Sequence, residues 1–105
     1  MIKNLAQLKR ALVKGTEFEI TGHCRPEVIG EHRRVNYADT TGIYTIVPGE
    51  PDYKATVANG GRGSFLGWSK APFWKFEGGM CGLYSDKEHT EAALIIEIKV
   101  VEAGG

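Results

Sequence analysis

The chain has 105 residues, 42% of them hydrophobic and 25% charged, with 13 Lys and Arg balanced by 13 Asp and Glu. These values suit one soluble globular domain over residues 1–105 and exclude a two-domain enzyme, since one domain already needs about 100 to 150 residues. Zero net charge excludes a uniformly basic polyanion binder.

The zero is a cancellation. Residues 1–35 hold seven Lys/Arg and four Asp/Glu, a net +3; residues 36–70 hold three of each; residues 71–105 hold three and six, a net −3. A basic front and an acidic back can build a two-signed surface. The longest apolar run, Ala92 to Ile96, is far short of the roughly 20 residues of a membrane span, and no signal-peptide core follows Met1. The expected location is the cytoplasm, where Cys24 and Cys81 stay free thiols.

Asn4 is placed to cap a short amphipathic helix over residues 4–14, whose stripe is Leu5, Leu8 and Leu12, with Gly15 closing it. Thr16 to Gly22 alternates strictly, with Phe18 and Ile20 on one face, and predicts a half-buried strand. His23 to Glu31 reads as a connection with Val28 and Ile29 tucked beneath it. Arg33 to Asp39, alternating through Val35 and Tyr37, and Ile43 to Val47 predict a hairpin turning at Asp39-Thr-Thr-Gly42. Pro48 to Asp52 is a loop, and Tyr53 to Ala58 a short strand closed by Asn59-Gly60-Gly61.

Residues 60–82 are rich in glycine and aromatics. Ser69 caps a single turn through Ala71-Pro72-Phe73, and Trp74 to Phe76 with Met80 to Tyr84 forms a hairpin turning at Glu77-Gly78-Gly79. After a polar loop from Asp86 to Thr90, Ala92 to Val101 is the strongest strand, with Leu94, Ile96, Ile98 and Val100 on one face, and is expected to be central. The fold class is therefore α+β: an N-terminal helix packed on a curved antiparallel sheet or small open barrel of five to six strands.

No metal site is expected, because His23, Cys24, His32, Cys81 and His89 lack the paired spacing of zinc ligands. No cofactor and no catalytic residues are expected either: no nucleophile signature is present, and Asn59-Gly-Gly-Arg-Gly-Ser-Phe65 lacks the Gly-Lys-Ser/Thr of a phosphate loop. Six of the ten aromatics, Phe65, Trp68, Phe73, Trp74, Phe76 and Tyr84, fall within twenty residues, interleaved with Arg62, Lys70 and Lys75. About two-thirds of this cluster is expected in the core, with Trp68 the exposed ring. Arg33 and Arg34 form a second basic group, although adjacent residues on a strand point to opposite faces.

The stretches "LAQLKRALVKGTEFEI", "RRVNYADTTGIYTIVP" and "NGGRGSFLGWSKAPFWKF" resemble small accessory proteins of phages and mobile elements of Gram-positive bacteria. That resemblance implies an inhibitor of a host defence nuclease, as in anti-CRISPR proteins that bind a Cas9-type effector in the bacterial cytoplasm. Acidic Asp86, Glu88 and Glu91 would then occupy a basic channel, or Arg33, Arg34, Arg62 and Lys70 would touch guide or target phosphates. The alternative is a small barrel binding single-stranded nucleic acid directly through Arg62, Trp68, Lys70 and Lys75.

Overall fold

The structure is a computed structural model that describes residues 2–46 and 65–101. The predicted strand over Tyr53–Ala58, the glycine loop from Asn59 and the candidate Arg62 lie outside the described residues. Helix α1 spans Leu5–Ala11. Strands follow as β1 (Glu17–His23), β2 (His32–Ala38), β3 (Gly42–Ile46), β4 (Phe65–Gly67), β5 (Trp74–Glu77), β6 (Met80–Tyr84) and β7 (Leu94–Val101).

These seven strands of the described residues form one antiparallel sheet in the order β4-β3-β2-β1-β7-β6-β5. Two meanders thus meet at β1 and β7. The last strand lies in the middle because its unbroken apolar face, centred on fully buried Ile98, needs cover from both neighbours. Among the described residues the strand count is seven, where five or six were expected. The added strand, Phe65–Gly67, is three residues long, too short for any periodicity to reveal, and exists through its pairing to Gly42–Tyr44.

Alternation decides the faces. Phe18, Ile20, Val35, Ile43, Leu66, Trp74, Cys81, Leu83 and Ile98 point inward and meet Leu8 of α1 and Leu12, which caps its C-terminus. The Asn4 side chain accepts the Gln7 backbone N–H at 2.9 Å and caps α1, as the sequence predicts. The helix stops at Ala11, earlier than expected. Gly15, at φ +94°, serves instead in the turn into β1, where its N–H bonds the Val35 carbonyl. Gly78 and Gly79, both at positive φ, make the predicted tight turn between β5 and β6.

The two edge strands approach one another. A flat seven-stranded sheet would hold its edges about 29 Å apart, whereas the six-residue link 68–73 reaches at most about 24 Å and includes a 3-10 turn at Ala71–Phe73. The sheet therefore curls. It remains open, since no ladder joins β4 to β5 among the described residues, but the Trp74 indole N–H donates to the Trp68 carbonyl and ties the edges together.

Candidate binding face

Three exposed rings lie in a row on the outer side of the sheet. Tyr37 of β2, Tyr44 of β3 and Phe65 of β4 are direct cross-strand partners. They are 55%, 37% and 49% exposed. Ring centroids are 5.9 Å apart for Tyr37–Tyr44 and 4.9 Å for Tyr44–Phe65, with the planes tilted by 52° and 54°. Aromatic side chains normally bury themselves, so three in contact and open to solvent make this face the candidate binding surface.

The backbone builds this row at two places. Between Val35 and Tyr37 the register shifts: Val35 faces Thr45, and Tyr37 faces Tyr44. Asn36 is thus an extra residue, a β-bulge that reverses the alternation beyond it. Val35 and Tyr37 share a parity in the sequence and were expected on one face. The bulge leaves Val35 in the core and turns Tyr37 to solvent. At the other end the Phe65 ring lies over Gly42 and Gly67, so close that a Cβ on Gly42 would sit 2.9 Å from the ring. The two glycines give Phe65 the space to fold flat against its own strand pair.

The residues singled out in the sequence do not converge on this face. Trp68, expected exposed, is only 4% exposed, which corrects that expectation. Strand alternation carries Leu66 and Trp68 inward and Phe65 outward, so the exposed ring of the cluster is Phe65. The Trp68 indole donates to the Asp39 carbonyl at 3.1 Å, and Lys9 covers the ring from 5.9 Å. Arg33 is also buried, with Nη2 2.7 Å from Glu31, so its guanidinium is held at Glu31 and is not free to contact a phosphate. Arg34, on the opposite face, is half-buried and lies across from Glu17.

Lys70 is exposed on the edge link, and exposed Lys75 pairs with Glu77 at 3.3 Å. Asp86 bonds the Thr90 hydroxyl and backbone N–H, which holds its carboxyl below the usual range and shapes the loop into β7. Glu88 and Glu91 are exposed on the same loop, which His89 joins to the edge link by donating from Nε2 to the Pro72 carbonyl at 2.8 Å. The His89 bond to Pro72 thus brings this acidic loop against the edge link that carries Lys70.

The thiols differ sharply. Cys81 is fully buried, and burial, with the Glu97 charge nearby, pushes its pKa up to about 11. Cys24 is exposed, its sulfur 3.7 Å from His23 Nδ1. That nitrogen already accepts the Arg25 N–H at 2.9 Å. We expect Ellman's reagent to modify Cys24 at once in native protein and Cys81 only after denaturation; equal rates would contradict this packing.

His23 has its pKa lowered by burial and by Arg25 and Arg33. A histidine lowered in the folded state takes up its proton more readily in the unfolded chain. Its contribution to stability is therefore present above pH 6.5 and is lost as pH falls through the folded pKa. An NMR titration of the His23 ring should give a midpoint below 6.5; a midpoint above it would reverse the sign.

Among the described residues, no three His, Cys, Asp or Glu side chains converge to hold a metal ion, and no helix is long and apolar enough to cross a membrane. Compared with protein-family models, curated proteins and solved structures, the chain finds no match. The exposed rings themselves carry the functional reading.

Proposed function

We propose that the protein is a non-enzymatic binding protein that docks on another protein through Tyr37, Tyr44 and Phe65, and that it acts as an inhibitor of a host defence nuclease in the bacterial cytoplasm. The observation that carries the docking surface is the contiguous exposure of the three rings on a sheet face. Aromatic side chains dominate interface hot spots because they bury large area at little entropic cost. A protein partner is favoured over nucleic acid because, among the described residues, no cation lies within the row, and Arg34, the nearest arginine along β2, sits across from Glu17 in the ladder. Direct binding of a single strand would pair its stacking rings with a basic groove. The binding set Arg62, Trp68, Lys70 and Lys75 loses its stacking ring, because Trp68 is buried.

The resemblance to accessory proteins of mobile elements makes a Cas9-type ribonucleoprotein the first target to test. The experiment is co-expression with the loaded effector, followed by co-purification and a DNA-cleavage assay. We expect the protein to co-purify and to suppress cleavage, and Tyr44→Ala to abolish both. Full-rate cleavage with excess protein present would refute this target. Tight, salt-sensitive binding to bare oligonucleotide would refute a protein partner.

A further inference from the structure

We propose that the outer side of strands β5, β6 and β7 carries a site for a guanidinium group. The site goes beyond the docking reading above and lies on other strands than the aromatic row.

A depression of about 230 Å³ opens there, and its lining includes Lys75, Glu77, Gly82, Tyr84 and Glu97. Lys75, Gly82 and Glu97 are successive cross-strand partners, so a residue without a side chain lies between an ammonium and a carboxylate. Tyr84 uses that space. Its ring lies over Gly82, where a Cβ would sit 3.0 Å from the ring carbon Cε1 and 3.6 Å from the hydroxyl oxygen. Tyr84 is only 8% exposed, yet its hydroxyl makes no hydrogen bond among the described residues. No fully buried side-chain oxygen among them lacks a partner, so the hydroxyl keeps an opening to solvent, and that opening is the depression Tyr84 lines. A nearly buried side chain with an unpaired polar tip aimed into a pocket is completed by a ligand that bonds it.

The charges choose the ligand. The Lys75 ammonium is taken up by Glu77 at 3.3 Å. Glu97 is half-buried, and its Oε1 accepts the Thr21 hydroxyl at 2.8 Å. Its Oε2 has no hydrogen-bond or ion-pair partner among the described residues. Thr21 thus holds the carboxylate and leaves one oxygen open. With one ammonium against two carboxylates, the pocket is net acidic and takes a cation. The open acceptors lie on three strands: Glu77 on β5, the Tyr84 oxygen on β6 and Glu97 on β7, the outer two strands being roughly 10 Å apart. An ammonium is a compact, strongly hydrated point charge that suits a single acceptor. A guanidinium carries five N–H donors in a planar fork and is more weakly hydrated, so it bonds the Glu97 carboxylate and the Tyr84 oxygen together.

The test is an NMR titration of the full chain with methylguanidinium chloride, compared with methylammonium chloride at matched ionic strength. We expect amide shifts confined to Lys75, Glu77, Gly82, Tyr84, Glu97 and their chain neighbours, and several-fold weaker binding of methylammonium. Glu97→Gln keeps the Oε1 acceptor for Thr21 and should weaken methylguanidinium binding about tenfold or more. Tyr84→Phe keeps the ring over Gly82 and should weaken it about threefold. A capped pentapeptide with arginine at its centre among glycines separates two sources of the group. Tighter binding than methylguanidinium supports an arginine side chain of a polypeptide, and weaker binding supports a free guanidine compound. No shift at tens of millimolar methylguanidinium, equal binding of methylammonium, unchanged affinity in folded Glu97→Gln, or shifts centred on Tyr37, Tyr44 and Phe65 would overturn the proposal.

Discussion

Trp68→Ala should cost about 3–5 kcal/mol of folding stability, the usual range for removing a large aromatic from a packed interior. Trp68 touches both halves of the fold. Its ring sits in the core cluster, its indole N–H bonds the β2–β3 turn at Asp39, and its carbonyl accepts the Trp74 indole from the opposite edge of the sheet. Truncation leaves a cavity and an unpaired Asp39 carbonyl, and it removes the packing that places the carbonyl for Trp74. Trp68→Phe should retain much of the packing while losing the indole bond, at a smaller cost. Urea denaturation of the three proteins checks the order. A near-neutral Trp68→Ala would mean that the ring is exposed, as its glycine-rich neighbourhood first suggests.

Gly42→Ala should detach the β4 edge. A Cβ at residue 42 would lie 2.3 Å from the Leu66 carbonyl oxygen and 2.8 Å from Gly67 Cα, both backbone atoms that cannot rotate away. Overpacking of this kind typically costs about 1–3 kcal/mol. Here the strain is relieved most easily by separating β3 from the three-residue β4. Phe65 would leave its place beside Tyr44, so the variant should lose partner binding beyond its loss of stability. Amide exchange across Ile43 and Leu66, cross-strand partners in the wild type, reports the separation directly. Unchanged protection at both residues would show that the edge tolerates the methyl group.

Most of the framework was legible because it rests on local rules. The Asn4 cap, the alternation of Glu17 to His23, the Gly78-Gly79 turn and the apolar face of Leu94 to Val101 each follow from propensity or period, and each stands where expected. The binding face was not legible for the same reason. Tyr37 reaches it through a bulge at Asn36, and a one-residue register shift has no signature in composition. Phe65 reaches it through a three-residue strand that exists only by pairing with β3. One signal was present: Leu66 and Trp68 alternate with Phe65 and Gly67, which already separates the inward tryptophan from the outward phenylalanine. Arg33 and Arg34 split across two faces as strand geometry requires, and the buried member went to Glu31.

The central claim is that the Tyr37–Tyr44–Phe65 row is a docking surface and not incidental exposure. The most direct measurement is the affinity of Tyr37→Ser/Phe65→Ser for the captured partner, with thermal denaturation recorded on the same sample. Loss of two hot-spot rings, each worth about 2 kcal/mol or more and together about 4 kcal/mol, predicts binding weaker by about seven-hundredfold with the native fold retained. Affinity within twofold of wild type, in a folded variant, would contradict the account.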